Sequence, residues 1–209
     1  MEIGISREYR DSLAPFEKGG LEALGLPVEI IGFLTETGLP ASDGLEITPN
    51  AQITFLKRPV IKRYPYLRHD YLQIASLGVM GELAVSLKFQ SVQQIQVTDD
   101  CGYALSVLYF VNDSLRQFVD CLGLWLDFYP QLRAEVGRRL EADPASSLFD
   151  HGEWYKPVLE RLKEVDRRAV RERKCFWAGC VSRILYKHCL EPQEVKRRGS
   201  DASDWHLRR

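Results

Sequence analysis

The chain has 209 residues, 45% of them hydrophobic and 27% charged, and a formal net charge of −1. That length supports one domain with a substantial core, and that composition excludes a disordered, collagenous or disulfide-scaffold chain. No apolar run approaches the roughly 18 to 20 residues that a membrane-spanning helix needs, so no membrane role is expected.

The first eight residues, Met1 to Glu8, lack a basic stretch followed by an apolar one. No secretory signal is visible, and the cytoplasm is the expected compartment. There are five cysteines, Cys101, Cys121, Cys175, Cys180 and Cys189, with no CxxC pair. An odd number without a signal peptide points to reduced thiols. Cys175 and Cys180 with His188-Cys189 read either as metal ligands or as small buried helix residues. Structural zinc pairs are usually spaced more tightly, which favours burial. The net charge hides an asymmetry. Residues 1 to 166 carry 16 Lys and Arg against 24 Asp and Glu, a net of −8; residues 167 to 209 carry 12 against 5, a net of +7. An acidic body can steer toward a basic partner. The basic tail can touch nucleic acid or pair with the acidic body.

Met1 to Gly20 shows little periodicity, with Phe16 expected to pack at the domain edge and Lys18-Gly19-Gly20 expected to break the chain. Leu21 to Leu24 reads as one helical turn. Pro27 suits the first turn of a helix carrying Ile30, Ile31 and Leu34, with Phe33 beside them. Gly38 fits a left-handed cap, and Pro40 forbids continuation. Leu45-Glu46-Ile47 opens a short strand. Ile53 to Leu56 is another, and Pro59-Val60-Ile61 reads as a second strand or, because of Pro59, as an edge or loop. Lys57, Arg58, Lys62, Arg63 and Arg68 alternate here with Tyr64, Tyr66 and Tyr71. Such interleaving can bind single-stranded nucleic acid, but it equally suits a sheet edge that discourages pairing. The acidic surroundings favour the second reading. Tyr71 to Leu77 and Glu82 to Leu87 form a hairpin around Gly78-Val79-Met80-Gly81.

Ile95 and Val97 begin an extended segment that turns at Asp99-Asp100-Cys101-Gly102. The apolar run Leu105 to Val111 then suits a strand buried on both faces. Asn112-Asp113-Ser114 ends it. Ser114, with Gln117 three positions on, predicts a capped helix start. Leu115, Phe118, Val119, Leu122, Leu126 and Tyr129 share one stripe of that helix. Pro130 is expected to end or kink it, yet Leu132, Val136 and Leu140 keep the spacing up to Asp143-Pro144. A further helix opens at Glu153-Trp154-Tyr155. Cys175 to Tyr186 is another helix candidate, and Lys196 to Arg209 is polar.

Leu108 to Phe118 resembles the core of the SUKH superfamily of immunity proteins, and especially its fourth subgroup. There a strand ends in an Asn-x-Ser-Leu turn that opens a long helix. Phe33 to Pro40 is similar to the family's amino-terminal helix followed by Gly-Leu-Pro. Ala142-Asp143-Pro144 followed by Trp154 is similar to its carboxy-terminal segment. Together these span roughly Pro27 to Leu162. Where the family's hairpin turn often has Asp after Gly, this chain has Val79 and Met80.

No phosphate-binding loop, HExxH or GxSxG motif is present. His69-Asp70 resembles half of a catalytic pair, but no nucleophile accompanies it. Asp99-Asp100 fits hairpin chemistry better than cation binding. Trp125 and Trp154 are expected in the core or in helix packing.

The elements predict an α+β fold: a twisted, mainly antiparallel sheet flanked by helices, with a helical carboxy-terminal extension. The expected divisions are an amino-terminal segment 1–26, the α+β domain 27–166, a helical extension 167–195 and a polar tail 196–209. The resemblance implies an immunity protein, not an enzyme and without cofactors. It would bind and neutralise a cognate toxin, often a nuclease or nucleic-acid deaminase, by stoichiometric occlusion. The alternatives are a regulatory scaffold of the same fold that binds another protein, and an enzyme or nucleic-acid binder that uses the basic tail. Partner-binding candidates, expected to be exposed, are Asp99, Asp100, Tyr103, Tyr64 and Tyr66; catalytic and metal residues are not expected. The acidic body disfavours direct nucleic-acid binding, and oligomeric state is left open.

Overall fold

The structure, a computed structural model, describes residues 3–42, 44–48, 51–100, 103–142, 152–172 and 175–181. It has the expected α+β architecture, built on a six-stranded antiparallel sheet whose spatial order follows the chain. The strands are β3 (Leu45–Thr48), β4 (Ala51–Arg63), β5 (Asp70–Ser76), β6 (Glu82–Ser86), β7 (Val92–Asp100) and β8 (Tyr103–Asn112). Consecutive hairpins give this meander, because short antiparallel connections place each strand beside the previous one.

The amino-terminal region is more ordered than its weak periodicity suggests. It forms α1 (Arg7–Asp11), β1 (Leu13–Ala14), α2 (Lys18–Glu22), α3 (Val28–Glu36) and β2 (Leu39–Pro40), with β1 and β2 paired antiparallel. Lys18-Gly19-Gly20 does not break the chain; it opens α2. Its glycines have open space around them, and Leu21 beside them is buried. Tertiary burial outweighs the poor helix propensity of glycine here. Tyr9 is buried, and its hydroxyl donates to the Val119 carbonyl at 2.7 Å, which ties α1 to the central helix. The expected left-handed cap is present at Gly38, with φ 78° and its N–H on the Phe33 carbonyl at 3.1 Å. A Cβ there would lie 2.0 Å from the Ala14 carbonyl oxygen, so only glycine lets β1 come this close.

The central helix α4 (Leu115–Ala142) runs 28 residues with Pro130 inside it. The proline neither ends the helix nor splits it. Pro130 is exposed, and the flanking Tyr129 and Leu132 are buried. The packing of a long amphipathic stripe holds the helix together across a missing N–H. Ser114 Oγ accepts from the Gln117 N–H at 3.2 Å, as the cap requires. The buried surface of α4 is wider than one stripe. Phe118, Cys121, Leu122, Trp125 and Phe128 are all fully buried, because the sheet, the amino-terminal segment and α5 (Gly152–Val165) each cover part of it. Trp125 donates to the Ile47 carbonyl at 2.8 Å, so this large side chain is buried without an orphaned N–H. Residues 176–181 are helical and add Phe176 and Trp177 to the same core. The expected stop at Asp143-Pro144, the side chain of Trp154, the helix beyond residue 181 and the tail lie outside the described residues.

Two strand expectations need correction. Residues 51–63 form one strand instead of two, with a register shift between Phe55 and Val60 that accommodates Pro59. The apolar run of β8 is not buried on both faces. β8 is the last strand of the sheet, and Leu105, Val107 and Leu108 are each 39–40% exposed. Composition alone does not separate a central strand from an apolar edge.

Candidate functional site

The Asn112-Asp113-Ser114 turn sits over a buried polar network. The Asp166 carboxylate, just past α5, accepts from Asn112 Nδ2 at 3.0 Å, from the Asp113 N–H at 2.8 Å and from the Arg168 N–H at 2.9 Å. Trp177 Nε1 donates to Asn112 Oδ1 at 3.0 Å. The Arg168 guanidinium pairs with the Asp113 carboxylate and lies 4.6 Å over the Phe110 ring. Asn112 and Asp166 are both buried, and each has its polar atoms satisfied. This turn is therefore a structural clasp that joins β8, α4 and the carboxy-terminal segment.

Groups with chemical potential elsewhere are committed to packing. Burial pushes the Cys121 thiol up to about 12, so it is a poor nucleophile. Asp70 pairs with Arg63 at 2.7 Å, while His69 stands edge-on to Phe89, so the two form no dyad. Cys175 and Cys180 are buried; Cys189 lies outside the described residues. Among the described residues no group of three or more His, Cys, Asp or Glu side chains gathers as a metal site. No helix among them is long and apolar enough to cross a membrane.

The five residues expected to contact a partner lie at opposite ends of the sheet. Tyr64 and Tyr66 belong to the β4–β5 turn. Asp99, Asp100 and Tyr103 sit where β7 meets β8, and Asp100 is in register with Tyr103. Tyr64 is not exposed. It packs with Tyr71, Ala84 and Ile95 on the sheet face away from the main core, and its hydroxyl donates to Glu82 at 2.5 Å. Burial first, and this hydrogen bond second, push its phenol above the usual tyrosine range. Tyr66 is 71% exposed and has φ 61°. It follows Pro65 in a turn closed by the Leu67 N–H on the Tyr64 carbonyl at 3.1 Å, a position that glycine usually fills. Phe89, exposed in the β6–β7 turn, shares this end.

The other end is shaped differently. β7 pairs with β6 only from Val92 to Ile95; from Gln96 onward it pairs with β8 alone. The two strands thus leave the sheet as a ribbon of about five residues each, roughly 17 Å long. At its root, Gly81 presses against β7, where a Cβ would lie 2.2 Å from the Ile95 carbonyl oxygen. Leu105 and Val107 lie on one face of the ribbon and Val97 on the other, with Leu108 on that second face at the root, all at least 39% exposed. Val79, 91% exposed, occupies the β5–β6 turn beside the root. Sequence reasoning found the ribbon's end and missed its apolar walls. The available signal was charge: no Lys or Arg occurs between Lys88 and Arg116.

Comparison with curated proteins finds no match, and neither does comparison with solved structures. A family model described as SUKH-4 immunity protein matches residues 10–183. That span takes in α3, the whole sheet, the Asn112 clasp, α4, α5 and the Trp177 helix. The chain belongs to the SUKH-4 immunity protein family.

Proposed function

We propose that this protein is a stoichiometric inhibitor that binds one cognate toxin domain, a nuclease or nucleic-acid deaminase, and covers its substrate cleft. Family membership carries the reading. The charge distribution supports it: a cleft that holds nucleic acid is basic, and residues 1 to 166 carry a net charge of −8. The ribbon is the element suited to such a cleft. It projects, its walls are apolar, and the only charged residues between Lys88 and Asp113 are Asp99 and Asp100. Asp99, Asp100 and Tyr103 are proposed as contacts there. Tyr66 is a second contact at the opposite end, and Tyr64 holds the turn that presents it. Such action needs complementarity and a few desolvated anchors, with no reaction of the protein's own. The protein acts in the cytoplasm, as a monomeric or oligomeric binder, and uses no cofactor.

The test is co-purification and calorimetry with a catalytically inactive form of the toxin domain encoded beside this gene. Tight one-to-one binding is expected, together with loss of toxin activity at equimolar inhibitor. A correctly folded toxin domain that neither binds nor loses activity would sink the proposal.

A further inference from the structure

We infer that the outer edge of β8 is a strand-addition site, along which the toxin domain lays a basic, extended segment of its own. This rests on the inhibitor reading above. β8 is ten residues long and ends the sheet, and among the described residues β7 is its only strand partner. Every second N–H and C=O along it faces outward, ready to pair.

The molecule treats its two free edges in opposite ways. β3 covers only the start of β4, pairing with Ala51 to Ile53. The outer edge of β4 beyond that point carries Lys57, Arg58, Pro59, Lys62, Arg63 and a register shift. These are the devices that block unwanted pairing. Tyr103 to Phe110 has none of them: no charge, no proline, no glycine, only β-favouring or small residues, and an unbroken register with β7; the one register shift of β8 falls at Val111, at its buried end. Leu105 and Val107 on one face and Leu108 on the other are exposed and apolar, so an added strand gains cross-strand partners on each side.

Charge selects the occupant. The 27 residues from Phe89 to Leu115 contain three Asp and no Lys or Arg. A strand flanked by Lys or Arg meets opposite charge at Asp99 and Asp100. A second copy of this chain brings the same acidic ribbon and gains nothing there.

Hydrogen exchange of the full chain, free and bound to the inactive toxin domain, tests the inference together with calorimetry of two variants. One is Leu105→Lys with Val107→Lys on one face; the other is Leu108→Lys on the opposite face. These positions are solvent-facing, and melting temperatures check that the fold is kept. Complex formation is expected to slow exchange in β8 while leaving β4 unchanged, and each variant is expected to weaken binding about 30-fold or more. Tight binding with no new protection in β8 and no loss in either variant overturns strand addition and leaves the inhibitor reading intact. Absence of wild-type binding removes both. Sedimentation showing a dimer of the protein alone that the variants dissolve assigns the edge to a second copy and overturns the inference. Should a variant lose its fold, the wild-type exchange pattern decides.

Discussion

Asp166 shows how a single buried carboxylate organises three elements. Its three hydrogen bonds fix the end of β8, the start of α4 and the chain after α5. Asp166→Ala would leave the buried Asn112 amide with only the weak Cys121 sulfur as acceptor and would strip the acceptor from two part-buried backbone N–H groups. We expect a loss of about 3 to 5 kcal/mol, read from urea denaturation; a change below about 1 kcal/mol would deny the network its structural role. Tyr64 gives a second residue-scale expectation. Its phenol ionises less readily in the folded protein than in the unfolded chain. Its contribution to stability is therefore complete below about pH 10 and lost as pH rises through the raised folded value. Tyr64→Phe should flatten the alkaline fall in stability relative to wild type, and parallel curves would refute this. Glu82 keeps Lys62 as an ion-pair partner at 2.8 Å in that variant. Ser114 was legible as a cap because capping is local. Asp166 was invisible because two of its three partners, Asn112 and Asp113, lie 54 and 53 residues away in the chain.

At the scale of elements, local chemistry and packing compete openly. Gly38 obeys a local rule and a tertiary one together: it takes a left-handed backbone and admits the Ala14 carbonyl. Gly38→Ala should cost about 3 kcal/mol or more, measured by thermal unfolding, and a cost near that of an exposed helix glycine would mean the contact relaxes freely. Pro130 breaks a local rule and is tolerated. Because it is exposed in the middle of α4, Pro130→Ala should raise stability by about 1 to 3 kcal/mol. No gain would mean that the helix already satisfies the Leu126 carbonyl in another way. β8 was legible as a strand but misjudged in its burial. An apolar run of that length has the same composition whether neighbouring strands or an incoming partner cover it.

For the whole molecule, the sheet sets two ends apart. One bears Tyr66, Phe89, Lys88 and His69; the other bears the acidic, apolar ribbon. If the ribbon leads association, then Asp99→Lys with Asp100→Lys should slow association about tenfold or more at low salt and reduce its salt dependence. Tyr66→Ala should instead act on dissociation. Stopped-flow kinetics at several salt concentrations separates these effects. An unchanged association rate in the charge-reversed protein would remove steering by the ribbon. The family match extends well into the carboxy-terminal segment, where Phe176 and Trp177 complete the core.

The sequence by itself determined the elements whose causes are local: the cap at Ser114, the left-handed stop at Gly38, the β5–β6 hairpin and the long amphipathic helix. It also determined, through short motifs in order, the family. Tertiary structure alone decided which strand stands at the edge, that Tyr64 is buried while Tyr66 is displayed, and that the five candidate residues divide between two ends. Side-chain type and spacing report periodicity along the chain. Exposure and proximity depend on strand order and on where one strand outruns its neighbour, and those follow from the packing of the whole sheet against α4.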